Sequence, residues 1–228
     1  YKVIHTKIER IEDIEKLQGS KYVQSDLNTT FKQAKEYLNK NIRVLFTGTP
    51  CQIEGLKKYL QKDYENLYTQ DIICHGVPSP KVWEKYKEYR KNIDKEEPKN
   101  IYFRNKDNGW KLYNMKFKYE QKEYKQNQTK DIFMLLFLQN IILRDSCYDC
   151  KFQLVKQNGI CYNCKAKNHK LADITIGDFW GIDNVIQNMN DNKGISLVII
   201  NSKKGKELID AISENIISKE VNIEKALK

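Results

Sequence analysis

The chain has 228 residues, of which 40% are hydrophobic and 11% aromatic, enough for one large α/β domain or two small ones. Its 40 Lys and Arg exceed its 30 Asp and Glu, but the lysines are scattered among glutamates and never form a block of five basic residues. This pattern is typical of solvated helix faces and argues against nucleic-acid binding. No run of about eighteen apolar residues predicts a membrane span.

The six cysteines bear on compartment and chemistry. No secretory signal is recognisable, so we expect a cytoplasmic protein. In that compartment thiols stay reduced, and cysteines are used for metal or redox chemistry more often than for disulfides.

Two helices are predicted in the first forty residues, with a turn between them. An acidic helix is expected at Ile11–Leu17 and an amphipathic helix at Thr29–Asn39. The segment between them, Gln18–Ser25, contains a glycine turn together with Ser20 and Lys21. Such a combination of groups could hold a phosphate.

The most informative stretch is Arg43–Leu56. It begins as a short apolar strand, Val44–Phe46, and then turns sharply into a helix. Thr49 is suited to be the N-cap, with a proline in the first turn. Cys51 then lies at the helix N-terminus, just past the carboxyl end of a strand. Ligands bind at this edge in open α/β sheets. The dipole of the helix favours a thiolate at Cys51. The alternative is a buried cysteine with a purely structural role, which is the commoner role of a lone cysteine.

A second strand is predicted within Leu67–Pro78. If a helix over Gln52–Gln61 joins two parallel strands, Cys51 and Cys74 come to the same edge of the sheet. His75 follows directly, and its ordinary role in such a place would be structural.

Beyond this strand the sequence predicts a helix and then an inserted β-hairpin. The helix opens at Ser79 and runs to about Lys91, and strands begin at Ile101, Tyr113 and Glu123, the last ending at Gln128. Three cations surround a glycine turn in this hairpin: Arg104, Lys106 and Lys111. They form either a charged hairpin tip or an anion clamp.

The C-terminal part is predicted to contain an apolar helix, two strands and a last helix. These are Asp131–Leu143, Ala172–Gly181, Ser196–Ile200 and Gly205–Ile217.

Two C-x-x-C pairs lie fourteen residues apart, Cys147/Cys150 and Cys161/Cys164. Each is a half-site for zinc or for an iron–sulfur cluster, because the short turn brings two thiolates to one metal. Either the two pairs form a four-cysteine zinc knuckle, or one pair joins Cys51 and Cys74 around a cubane cluster. The residues alone leave both alternatives open.

Five motifs occur in a recognisable order. They are Gly48–Gln52, Ile73–Pro80, Phe103-Arg104-x-Lys106 with Gly109–Lys111, Cys147-x-x-Cys150-x-Phe152, and Asp173–Gly181. In this order they resemble the C-terminal domain of the coenzyme F-420 hydrogenase/dehydrogenase beta-subunit family, and Gly19–Ser25 fits its N-terminal part. The resemblance covers nearly the whole chain.

The resemblance implies an iron–sulfur flavoprotein oxidoreductase, with a 4Fe-4S cluster beside a flavin. The flavin, expected to be FAD, would exchange electrons with a deazaflavin-type or other small substrate. The implied cluster ligands are Cys51, Cys74, Cys147 and Cys150. The implied flavin or phosphate contacts are Ser20, Lys21, Thr47, Gly48, Thr49, Arg104 and Lys106. His75 becomes a candidate proton donor, and the implied partner is an electron-donor protein or ferredoxin-like module.

Two departures from the family pattern matter. The ferredoxin-like segment of closely spaced cysteines is absent, so we expect that an N-terminal segment is missing. The pair Cys161/Cys164 is additional, and is either the alternative ligand pair or part of a cysteine-rich insertion over 145–170, where zinc could bind.

We therefore predict an α/β fold, a mixed sheet with flanking helices and an inserted β-hairpin, with residues 1–228 as one catalytic domain. The rival interpretation is a zinc-bearing basic binding module without redox activity.

Overall fold

The computed structural model describes residues 2–148 and 170–226. Cys150, Cys161, Cys164 and most of the predicted insertion over 145–170 lie outside the described residues. The chain divides into two compact units. We call Tyr1–Thr30 with His75–Cys161 the antiparallel unit, and Phe31–Cys74 with Tyr162–Lys228 the parallel-sheet unit. The single catalytic domain expected from the sequence stays a prediction.

The helices and strands alternate along much of the chain. In chain order they are α1 (Thr30–Asn39), β1 (Val44–Gly48), α2 (Pro50–Leu60), β2 (Leu67–Ile72), α3 (Pro80–Asp94), β3 (Asn100–Asn105), β4 (Asn114–Lys118), β5 (Glu123–Asn127), α4 (Ile132–Leu138), α5 (Asp145–Tyr148), β6 (Ile174–Asp178), β7 (Ser196–Ile200), α6 (Lys203–Asp210) and α7 (Ile223–Ala226). Short 3-10 turns occur at Ile11–Lys16, Ile182–Asn184 and Ser213–Asn215.

The parallel-sheet unit contains the predicted mixed sheet. Its strand order is β1-β2-β6-β7, with β1, β2 and β6 parallel and β7 antiparallel to β6. Helix α2 packs against β1 and β2, and its apolar side chains Ile53 and Leu56 are fully buried. Phe31 of α1 packs on Phe46 of β1, with ring centroids 5.7 Å apart. The α/β class and the mixed sheet are confirmed.

The antiparallel unit has a sheet of its own, in the order β3-β4-β5. The alternation predicted around Tyr113–Tyr119 is confirmed, because Met115 and Phe117 of β4 are buried while Lys118 is exposed. The three strands predicted for the insertion are all present, and β4 and β5 form the predicted hairpin. Its aromatic core includes Trp83 of α3, whose ring centroid lies 5.0 Å from that of Phe133 in α4.

Two predicted helices are shorter than expected. The apolar helix Asp131–Leu143 ends as α4 at Leu138, and Asn140 has a left-handed backbone with φ 61°. The following segment instead pairs with the chain after β2, through a bridge between Leu143 and Pro78. The predicted helix Gly205–Ile217 likewise ends at Asp210 and continues as a 3-10 turn. In both cases apolar periodicity continued past the point where the helical backbone stops.

Candidate functional site

Cys51 and Cys74 both follow the carboxyl ends of neighbouring parallel strands. Gly48 of β1 and Asp71 of β2 are register partners, and each cysteine follows its partner residue by three positions. Cys51 is exposed and Cys74 is half-buried. Two thiols therefore follow adjacent strands at the edge of the sheet where this kind of fold binds ligands.

The turn before Cys51 is fixed by capping contacts. Thr49 is the N-cap of α2, and its amide N–H donates to the side-chain oxygen of Gln52 at 2.9 Å. The Thr49 hydroxyl oxygen lies 3.1 Å from the Cys51 sulfur. Cys51 is the second residue of an eleven-residue helix. The Thr49 hydroxyl therefore lies beside the Cys51 sulfur, at the N-terminal end of the helix dipole.

A glycine in β6, Gly177, allows β6 to lie close to the chain that follows β2. The backbone N–H of Ile73 donates to the carbonyl of Ile176 at 2.9 Å, so the ladder with β6 continues past the end of β2. A Cβ placed on Gly177 would lie 2.6 Å from the terminal carbon of Ile73. Any larger residue would therefore force Ile73 to move, one residue before Cys74.

Two buried acids on this sheet were not among the residues predicted from the sequence. Asp71 of β2 is 4% exposed and Asp173, before β6, is 8% exposed. The backbone N–H and the hydroxyl of Thr69 both donate to the carboxylate of Asp173, at 2.7 and 2.8 Å. The pattern Leu67-x-Thr69-x-Asp71 places polar residues at the inward positions of a strand, and this was the available sign.

The segment after Cys74 belongs to the antiparallel unit and there approaches Cys147. The Arg144 N–H donates to the Val77 carbonyl at 2.9 Å, and the Cys147 thiol lies 4.0 Å from the same carbonyl. Gly76 has φ +122°, and a Cβ there would lie 3.0 Å from the side chain of Leu143. This close pairing requires glycine at position 76.

His75 packs on an aromatic ring. Its ring centroid lies 4.9 Å from that of Phe137, and its Nε2 lies 3.4 Å from the Phe137 carbonyl oxygen. This is the environment of a structural histidine. Its role as a proton donor stays a prediction.

The predicted cationic turn contains Trp110, which is fully buried. Arg104 donates to the Trp110 carbonyl at 3.3 Å, and its guanidinium lies 4.7 Å from the centre of the Tyr113 ring. Lys106 and Lys111 are exposed. The structure thus brings Arg104 together with the tip of the turn, and leaves both lysines on the surface.

Lys21 folds back onto its own loop. Its ammonium donates to the carbonyls of Gln18 at 2.8 Å and Gly19 at 3.1 Å, while Ser20 is exposed. Burial lowers the pKa of Lys21. An anion at this loop would compete with two carbonyls for the same cation, so the phosphate role of Ser20 and Lys21 stays a prediction.

Within residues 2–148 and 170–226, no three His, Cys, Asp or Glu side chains are grouped closely enough to hold a metal ion. In that same part of the chain no helix is both long and apolar enough to cross a bilayer.

Fold and site together define a mixed α/β protein with thiols at the carboxyl edge of its parallel strands. The family described as coenzyme F420 hydrogenase/dehydrogenase, C terminus of the beta subunit, matches residues 42–226, so the chain belongs to that family of redox enzymes. The predicted family is confirmed over these residues, which begin after Ser20 and Lys21.

A chain of the F420-reducing NiFe hydrogenase complex from Methanosarcina barkeri, studied as a xenon derivative, is similar in structure. The TM-score is 0.49 and the sequence identity 17%, over 90% of this chain and 59% of that one. No curated protein matches the chain significantly in sequence.

Proposed function

We propose that this chain is an iron–sulfur flavoprotein oxidoreductase that transfers electrons between a 4Fe-4S cluster and a flavin. The observation that carries the proposal is the parallel pairing of β1 and β2, since Cys51 and Cys74 follow the carboxyl ends of these two neighbouring strands. Cysteine thiolates are the usual ligands of such clusters. The cluster, when bound, supplies one-electron transfer, and the protein supplies its placement and electrostatics.

The chain's own residues would hold this group in distinct ways. The Thr49 cap fixes Cys51 in the first turn of α2, and Gly177 lets the chain before Cys74 lie close to β6. Cys147 and Cys150 are the proposed remaining ligands. This is supported by the contact of the Cys147 thiol with Val77, a residue that follows Cys74 by three positions in the chain.

We assign the flavin, FAD or a related form, to contacts with Thr47, Gly48, Thr49, Arg104 and Lys106. Arg104 and Lys106 would pair with its phosphate groups, since guanidinium and ammonium groups form charge-assisted hydrogen bonds with phosphate. The proposed substrate is a deazaflavin-type coenzyme or another small acceptor, in keeping with the family name. The proposed partner is an electron-donor protein or ferredoxin-like module.

The first test is the metal and flavin content of protein prepared without exposure to air. We expect brown protein with about four iron atoms per chain, matching acid-labile sulfide, and bound flavin. The measurement is the absorption spectrum together with iron, sulfide, zinc and flavin assays. Stoichiometric zinc without iron would contradict the proposal and favour the zinc-bearing binding module.

Arg104→Ala is expected to weaken flavin binding by about 1–3 kcal/mol, the contribution of a charge-assisted hydrogen bond. Flavin retention is measured by equilibrium dialysis of the cluster-loaded protein. Because Arg104 also contacts Trp110 and Tyr113, circular dichroism must show that the variant is folded. Lys118→Ala, at an exposed position of β4, is the control and should bind flavin normally. Equal flavin retention in both variants would remove Arg104 from the site.

A further inference from the structure

Asp71 is an acidic side chain buried in the middle of the parallel-sheet unit. It is 4% exposed, and its Oδ1 atom has no hydrogen-bond partner among the described residues. A buried oxygen without a donor is costly, and the cost is greatest when the carboxylate is charged. Asp71 therefore has a physical reason to take up a proton.

Its other oxygen ends a directional chain of hydrogen bonds. The side-chain N–H of Asn201 donates to the Thr175 hydroxyl oxygen at 3.0 Å. An amide nitrogen can only donate, so the single hydroxyl proton of Thr175 is left for Asp71, to which Thr175 is hydrogen-bonded. One carboxylate oxygen is thus satisfied, and Oδ1 is the atom at which a proton would bind.

The groups beside Asp71 in the sheet carry no charge. Its register partner in β1 is Gly48, its partner in β6 is Thr175, and Gln52 of α2 lies over Gly48. The other buried acid of this sheet, Asp173, accepts hydrogen bonds from Thr69, which precedes Asp71 by two residues in β2. Burial raises the pKa of Asp71, and its hydrogen bonds from Thr175 and its own backbone oppose this only in part.

Asp71 also has a defined place relative to the thiols. It precedes Cys74 by three residues, and its register partner Gly48 precedes Cys51 by the same number. A change of charge at those thiols would therefore occur just beyond the strand ends that carry this proton-binding group. Added negative charge there favours the neutral acid, because like charges disfavour the carboxylate.

We propose that Asp71 is the proton-binding residue coupled to reduction of the cluster assigned to Cys51 and Cys74, an inference that rests on the proposed function. As one electron arrives from a one-electron reductant, the Asp71 carboxylate takes one proton from water and an O–H bond forms at Oδ1. Reoxidation returns the proton to water. The charge of the site is then the same before and after reduction.

The coupling predicts the direction in which the reduction potential changes with pH. Between the pKa values of Asp71 in the oxidised and reduced protein, the reduction potential should fall as the pH rises. For one electron and one proton, a tenfold change in proton concentration corresponds to about 59 mV. Outside that window the potential should be independent of pH. Linkage requires that reduction and protonation favour each other equally.

The experiment is a redox titration of the cluster-loaded protein at a series of pH values, using dithionite as reductant and the cluster absorption as readout. The wild type should show the slope, and Asp71→Asn should show a flat potential. Thr175→Val removes the donor to the carboxylate and should move the window to higher pH. Asp178→Asn, an acid at the end of the adjacent strand β6, is the control and should retain the slope.

Infrared spectra of the cluster-free protein provide a readout that does not need the cluster. A carboxylic-acid carbonyl band should already appear at a pH at which the exposed acids are still ionised, because burial raises the pKa of Asp71. This component should be missing in Asp71→Asn, in which only the bands of the other acids grow as the pH falls further. A bound cluster with a pH-independent potential, or equal slopes in wild type and Asp71→Asn, would overturn the coupling alone. A chain that binds no cluster would overturn the proposed function as well, which separates the two failures.

Discussion

Replacing Cys147 and Cys150 together by serine is expected to abolish the cluster absorption of the reconstituted protein. The same double replacement at Cys161 and Cys164 is expected to leave it intact. A cubane cluster needs four thiolates, and two are assigned to Cys51 and Cys74. Only one C-x-x-C pair can then be required.

The choice of pair rests on the surroundings of Cys147. In the resemblance described above, the matching motif is Cys147-x-x-Cys150-x-Phe152, so that resemblance favours this pair. The described residues add a further argument, because the amide N–H of Arg144 and the thiol of Cys147 both approach the Val77 carbonyl. The chain just after Cys74 thus lies beside Cys147.

The two double variants serve as controls for each other, since each removes two thiols and adds two hydroxyls. Both are reconstituted with iron and sulfide without air, and absorption and metal content are compared. The reverse pattern would move the ligands to Cys161 and Cys164. Loss of the cluster in both would contradict the single-pair assignment and favour a knuckle in which the two pairs act together.

The local part of the site could be predicted because its determinants are adjacent in sequence. A strand, a Thr-Pro turn and a helix follow one another within Arg43–Leu56, and the structure has β1, the Thr49 cap and α2 there. The parallel pairing of β1 and β2 was equally accessible, since one helix of ordinary length joins them. The shared edge of Cys51 and Cys74 followed from these two facts.

The buried acids could not be predicted in the same way. Thr69 and Asp173 are 104 residues apart, and nothing near either one indicates the other. Asp71 takes its properties from Thr175 and Asn201, which become neighbours only once β6 and β7 join the sheet. Polar residues in a strand can face either solvent or core, and only the register decides which.

The helix ends show a different limit. Apolar spacing predicted one helix over Asp131–Leu143, yet the chain leaves the helix after Leu138 and its next residues pair near Pro78. Hydrophobic periodicity reports which side chains are buried. It does not show where a neighbouring segment, rather than the helix, supplies the hydrogen bonds of the backbone.

Asp173→Ala is expected to destabilise the parallel-sheet unit by about 3–5 kcal/mol, because several buried donors lose their acceptor at once. One carboxylate oxygen accepts from the backbone and hydroxyl of Thr69. The other accepts from the Ser202 hydroxyl at 2.6 Å, and Ser202 in turn accepts from the Gly205 N–H as the N-cap of α6. A single side chain thus ties β2, β6 and α6 together.

Asp173→Asn keeps one acceptor oxygen and should cost less than Asp173→Ala, about 1–3 kcal/mol. The control is Asp210→Ala in α6, whose ion pair with Lys206 is exposed and should contribute little to the free energy of unfolding. Urea unfolding gives the free energies, and hydrogen exchange of peptides from β2 and β6 locates the loss. If Asp173→Ala and Asp210→Ala had equal effects, the buried carboxylate would not be holding these elements together.

The expected result is faster exchange in β2 and β6 of the Asp173→Ala variant, with the antiparallel strands β3–β5 unaffected, because every donor that loses its acceptor belongs to the parallel-sheet unit.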